Sequence, residues 1–171
     1  MGLDILFVQP NASEKIYQGL STNHSAIEPP IWAAMLANHC RVNNFGAQIL
    51  DCEVEMLSWD DSATTINDIN PRVVCFVVYG QNPNSGTTNM SGALSLAQSL
   101  KDRHPHIKIC FVGSHMSALP REVLSYSFVD IVLTNEGVYA LHNLLANKGA
   151  PFYSLKGIGW KPEPNRIVIN E

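Results

Sequence analysis

Arg72–Val78 reads RVVCFVV, and this stretch decides the fold class. After Arg72 every residue is apolar, with no polar residue at alternate positions. A strand with one face in water alternates; a strand covered on both faces does not. Asn70-Pro71 before it and Tyr79-Gly80 after it bound the run, which predicts a short buried strand. Working outward, Asp4–Val8 (DILFV), Ala47–Leu50, Lys108–Val112 and Val129–Leu133 predict four more strands of the same kind. Between them lie helical segments. One is opened by Glu28-Pro29-Pro30, puts Ile31, Met35, Leu36 and Cys40 on one face, and is followed by Gly46. A weakly amphipathic one covers Met56–Ile69 and stops at Asn70-Pro71. A third covers Gly92–Lys101, with Leu94, Ala97 and Leu100 inward. A short helix follows Pro120 to about Tyr126, and Val138–Ala146 carries Leu141, Leu144 and Leu145.

Strand and helix in alternation predict an α/β fold: a doubly wound, parallel five-stranded sheet, Rossmann-like with flavodoxin-like order. Right-handed crossovers place helices on both faces. The tail LKGIGWKPEPNRIVINE predicts a C-terminal β-hairpin with its turn at Pro162–Asn165. The expected division is an α/β domain over residues 1–150 and a hairpin or linker over 151–171, ending on a bare apolar strand that would lead into a further, catalytic domain.

Composition sets bounds. A length of 171 residues suits one domain with a real core, and 46% hydrophobic against 15% charged residues is globular rather than disordered. A net charge of -4 argues against nucleic acid, whose phosphates need clustered Lys and Arg. No apolar run approaches about 18 residues, so no membrane-spanning helix is expected. The start, MGLDILFVQP, has Asp4 inside its apolar run and no basic segment, so it is not a signal peptide, and a cytoplasmic location is expected. Cys40, Cys52, Cys75 and Cys110 form no C-x-x-C, which leaves zinc ribbons, dithiol redox chemistry and local clusters unsupported. Reduced, mostly buried thiols are expected.

In an open parallel sheet, ligands bind beyond the carboxyl ends of the strands. The first strand is followed by Gln9-Pro10-Asn11-Ala12-Ser13, then a long polar loop of the length that usually carries function. The third is followed by Tyr79-Gly80-Gln81-Asn82-Pro83-Asn84-Ser85-Gly86, the fourth by Gly113-Ser114-His115-Met116, the fifth by Thr134-Asn135-Glu136-Gly137. These stretches share one rim. They are rich in Gly, Ser and Asn, and none of the last three holds a lysine or arginine. Such a rim suits a large, polar, weakly charged ligand rather than phosphate, and neither G-x-x-x-x-G-K-[ST] nor G-x-G-x-x-G occurs. The same residues also make ordinary turns. His115 is the one rim histidine; it could meet ligand or satisfy a turn. Glu136 is a ligand contact or a helix N-terminal charge. His104 and His106 belong to the opposite edge, His142 to a helix, and Asp60-Asp61 to a solvated face. No nucleophile, base and acid set exists, so no catalytic residue is assigned to the chain, and no metal ligand.

These residues, in this order, resemble the N-terminal cobalamin-binding domain of radical SAM enzymes, the class that includes methyltransferases and anaerobic cyclases. The matching segments are EPPIWAAMLAN for the "PP" helix opening, VGSHMSALPREVL for the family's "GG-x-H-x-T-x-x-P-E-E-x-L", VDIVLTNEGVYAL for "D-x-V-x-x-G-E-G-E", and LKGIGWKPEPNRIVIN for a closing hairpin. Asn135 stands where the family has the first glycine of G-E-G, and Val138 where it has the last glutamate. The resemblance implies that Pro10, Asn11, Glu28, Pro29, Tyr79, Gly80, Gln81, Asn82, Ser85, Gly113, Ser114, His115, Asn135, Glu136 and Gly137 line a cobalamin site. The nucleotide tail would lie between the sheet and the loops after the third and fourth strands, with Gly113-Ser114-His115 left bare for it.

The resemblance further implies base-off cobalamin with no histidine on cobalt. The D-x-H-x-x-G signature of histidine-ligating cobalamin proteins is missing; the one D-x-H, Asp102-Arg103-His104, precedes the fourth strand. The C-x-x-x-C-x-x-C cluster motif is also missing, so the [4Fe-4S] cluster and S-adenosylmethionine would belong to a C-terminal radical SAM domain outside this sequence. Two other readings stand beside this one. One is a flavodoxin-like nucleotide- or partner-binding domain; the other is a degenerate domain that has lost cobalamin and serves for docking.

Overall fold

The structure, a computed structural model, describes residues 2–12, 28–79, 83–147, 151–164 and 166–170, with the backbone alone at 83–86 and 88. Its elements run β1 (Ile5–Gln9), α1 (Ile31–Val42), β2 (Ala47–Asp51), α2 (Trp59–Ile69), β3 (Val73–Val78), α3 (Pro83–Arg103), β4 (Lys108–Gly113), α4 (Ser114–Ala118), α5 (Pro120–Ser125), β5 (Ile131–Leu133), α6 (Val138–Ala146), β6 (Ile158–Glu163) and β7 (Arg166–Ile169). One seven-stranded sheet has the order β2-β1-β3-β4-β5-β6-β7. β1 to β5 pair in parallel, and β6 and β7 join antiparallel as the expected hairpin, on the β5 edge of that same sheet.

β3 is buried at all six positions, as its unbroken apolar run requires. Its side chains feed two cores. Val74, Phe76 and Val78 meet α2, α3 and α5, with Phe76 stacked on Phe111 at 5.0 Å. Val73, Cys75 and Val77 meet α1 and α6. All four cysteines are free and buried. Cys75 and Cys110 are partners across β3 and β4, and the hydrogen bond that the Cys75 thiol donates to Cys110, with burial second, holds that thiol well above its ordinary range.

Four helix expectations are corrected. α1 buries Ala33, Leu36, Ala37 and Cys40, while Ile31 and Met35 are exposed. This segment is apolar nearly all round, and the full i, i+3, i+4, i+7 set with its two small alanines packs closest to the sheet. α2 begins at Trp59 rather than Met56, because Ser58 caps it: its Oγ accepts from the Asp61 N–H at 3.1 Å. α3 begins at Pro83 rather than Gly92, so Ser85 and Gly86 lie in a helix, not in the expected loop, and Leu96 takes the fully buried place expected for Leu94. Packing of Met90, Ala93, Leu96, Ala97 and Leu100 stabilises that helix against the weak propensity of its polar start. Finally, Ser114–Met116, expected in the loop after the fourth strand, belong to the short helix α4 (Ser114–Ala118), with Met116 anchored in the core.

Candidate functional site

Five parallel strands end on one rim. With the order β2-β1-β3-β4-β5, the direction of chain progression reverses between β1 and β3, so the crevice of a doubly wound sheet opens there. Tyr79 follows β3 directly and stands at that crevice. Its ring stacks on Trp32 of α1, with centroids 4.5 Å apart and planes 21° apart. Its hydroxyl donates to the Asn135 carbonyl at 3.2 Å. The Ser117 hydroxyl lies 3.1 Å from the same carbonyl and 3.2 Å from the Gly113 carbonyl. Asn135 adopts a left-handed conformation (φ 57°), which an asparagine tolerates and which aims its carbonyl inward. Burial first, then the Glu136 carboxylate, pushes the Tyr79 phenol up to about 12. It is therefore a neutral donor over the physiological range.

Gly113 closes β4. Its φ of 152° and ψ of 178° belong to glycine, and a Cβ there would sit 2.1 Å from the Val78 carbonyl oxygen. The neighbouring strand by itself already requires a bare backbone here. Gly137 caps α6 with φ 75°, and a Cβ there would meet Val112 Cγ2 at 2.6 Å.

The structure brings Tyr79, Gly113 and Asn135 into one hydrogen-bonded group, through Ser117. Glu136 is exposed beside it and Ser114 is half-buried at the start of α4. The His115 side chain is 14% exposed, with Nε2 3.6 Å from Glu122 Oε1 of α5. At the end of β1, Pro10 is buried, and the Asn11 carbonyl accepts from the Trp59 indole at 3.4 Å. Glu28 and Pro29 are exposed just ahead of α1. Gly80, Gln81 and Asn82 lie outside the described residues, as does the Ser85 side chain. Asp60, expected on a solvated face, is exposed but paired with Arg103 at 2.9 Å.

Two rim residues escaped the sequence reading. Trp32 had a signal: an aromatic on the first turn of a helix that starts at the rim. Ser117 had one too: it stands at the threonine of the G-G-x-H-x-T pattern, a hydroxyl for a hydroxyl. Among the described residues no three His, Cys, Asp or Glu side chains gather to hold a metal ion, and no helix is long and apolar enough to cross a membrane. A separate cavity of about 650 Å³ opens at the opposite edge, lined by Arg72, Lys108, Asp130, Phe152, Trp160 and Lys161 among others.

The folded chain is similar to TsrM, a radical S-adenosylmethionine methyltransferase from Kitasatospora setae solved with cobalamin and a [4Fe-4S] cluster, at a TM-score of 0.71 and 16% identity over 95% of this chain and 28% of that one. With tryptophan and a SAM analogue bound, TsrM matches at 0.73 and 15%, over 97% and 29%. OxsB, a cobalamin-dependent S-adenosylmethionine radical enzyme solved with aqua-cobalamin and S-adenosylmethionine, matches at 0.68 and 14%, over 99% and 22%. The chain thus spans less than a third of the length of these proteins, and at such identities the likeness is one of fold. No curated protein sequence matches it. The family model of the B12 binding domain matches residues 18–145, most of the chain. The chain belongs to the B12-binding domain family.

Proposed function

We propose that this domain binds cobalamin at the crevice between β1 and β3 and serves as the cofactor module of a radical SAM enzyme, of methyltransferase or cyclase type. The observation that supports this most is the rim itself. It lies at the switch point of a B12-type sheet and carries stacked rings, hydroxyls and backbone carbonyls, with the Glu136 carboxylate exposed beside them. That set fits a large ligand with many amide donors and acceptors. The donor set also fits base-off cobalamin: His115 is engaged with Glu122, and Tyr79 is a neutral phenol held by Asn135. Bound cobalamin would supply methyl-carrying or electronic chemistry that belongs to the cofactor. Tyr79, Ser117 and Asn135 would orient it, and Glu136 would offer a carboxylate at the mouth.

The partner in this reading is a C-terminal radical SAM domain holding the [4Fe-4S] cluster and S-adenosylmethionine, with residues 151–171 leading toward it, in a cytoplasmic enzyme. Titration of the chain with hydroxocobalamin, followed by visible absorption and calorimetry, tests the binding. Saturable binding with a base-off spectrum is expected. No binding at about 100 μM cofactor, a free energy weaker than about 5.5 kcal/mol, overturns the reading.

A further inference from the structure

Trp32 and Tyr79 come from opposite sides of the crevice. Trp32 lies on the helix that follows β1, and Tyr79 at the end of β3. Their stack therefore spans the point where strand order reverses. From Tyr79 the connection runs on through its hydroxyl to the Asn135 carbonyl, after β5, and through Ser117 to the Gly113 carbonyl, at the end of β4. One chain of contacts thus links the connections after β1, β3, β4 and β5. Trp32 is its only aromatic anchor on the β1 side among the described residues, and it stays 39% exposed, so it is not a core residue that happens to touch the rim.

Resting on the cobalamin reading above, we propose that Trp32 is a positioning residue for the cofactor site. It fixes Tyr79 across the crevice by stacking and so presets the rim to receive a flat macrocycle. Without Trp32, Tyr79 keeps its hydrogen bond but loses the surface that sets its ring angle. The rim must then be ordered by the ligand, which weakens binding. An aromatic pair contributes enough beyond its buried area to account for an effect of about tenfold.

The experiment compares hydroxocobalamin binding by the full chain and its Trp32→Ala, Trp32→Phe and Tyr79→Phe variants, by calorimetry and by visible circular dichroism of the bound cofactor. Trp32→Ala is expected to raise Kd about tenfold and to alter the visible dichroism, which reports cofactor orientation. Trp32→Phe, which keeps a stacking ring, is expected to restore both, and Tyr79→Phe to fall between. If Trp32→Ala does not fold, Trp32→Leu fills the space without stacking and replaces it. Binding by the parent chain with equal or tighter binding by the Ala or Leu variant overturns the positioning role; tighter binding would mean that the stack is a latch the ligand must open. No binding by the parent chain overturns the cobalamin reading itself, and the positioning role with it.

Discussion

The two ends of the sheet are held by different chemistry. At the amino ends of the strands the ties are charged. Asp130 accepts from Lys101 Nζ at 2.8 Å and from the Ile109 N–H at 2.8 Å, with Lys108 Nζ at 3.5 Å. Arg72 donates to the Leu145 carbonyl at 2.6 Å, and its guanidinium lies 3.6 Å from Asp4. At the carboxyl ends, around the crevice between β1 and β3, the ties are neutral: a ring stack, a phenol and a serine on one carbonyl, and an indole on another. Fixed ion pairs commit their donors and acceptors to the fold. Neutral contacts to backbone carbonyls leave lone pairs and ring faces for a ligand, at lower desolvation cost than buried charges would carry. The difference teaches that the amino end clamps the sheet while the carboxyl end shapes a site.

The largest expected break is at the rim. Gly113→Ala puts a methyl 2.1 Å from the Val78 carbonyl oxygen in a conformation that alanine rarely adopts. Strain and overpacking together predict a loss of about 4 kcal/mol, read as a shift in the denaturation midpoint in urea. A loss below about 1 kcal/mol would mean that β4 can slide away from β3, and that the rim is softer than its hydrogen bonds suggest.

The second test separates the ends. Asp130→Asn keeps the shape of the clamp but removes the charge that Lys101 and Lys108 share. Asp130 is about one-fifth exposed, as is Lys101. A charge-assisted bond in that setting predicts a loss of about 2 kcal/mol. Hydroxocobalamin affinity should be unchanged, since the clamp and the rim lie at opposite ends. A drop in affinity to match the drop in stability would show that the two ends are coupled, and would erase the contrast.

Most of the fold could be read because buried parallel strands write themselves as unbroken apolar runs: VVCFVV and ICFV admit little else, and their order along the chain follows from alternation. The helices were harder where polarity and packing disagree. The first turns of α3, Pro83–Thr88, look like a loop because their residues are polar and weak helix formers, and α1 offered two apolar faces. The hairpin's place on the β5 edge depends on the close approach at Gly159, where a Cβ would lie 2.6 Å from Ile169 Cδ1 and 2.7 Å from Val132 Cγ2, a contact with no local signature. The site was legible as a rim and not as a network. Strand-end loops can be collected from sequence, but the stack of Trp32 on Tyr79 joins residues 47 positions apart, and the turning of His115 toward Glu122 depends on the helix α4 that the sequence hid.

The smallest effect sharpens the contrast with a proton. Tyr79 in the fold ionises near 12 instead of its ordinary 10, because burial and then Glu136 disfavour the phenolate. A raised folded value means that the fold prefers the protonated form. This contribution to stability is therefore complete below pH 10 and is lost as pH rises from 10 toward 12, where the unfolded chain ionises first. Absorbance at the tyrosinate band should show a late-titrating phenol among the five tyrosines, and Tyr79→Phe should remove it. At neutral pH the same variant should cost less than about 1 kcal/mol, since it gives up one hydrogen bond at a partly wetted rim. The charged amino end predicts the opposite sensitivity. Added salt should weaken the Arg72–Asp4 and Lys108–Asp130 pairs and leave the Tyr79–Asn135 bond untouched, because screening acts on charges and a phenol–carbonyl bond carries none. If the late phenol persisted in Tyr79→Phe, the neutral donor at the crevice would belong to another residue, and the contact between β3 and β5 would lose its place in the rim.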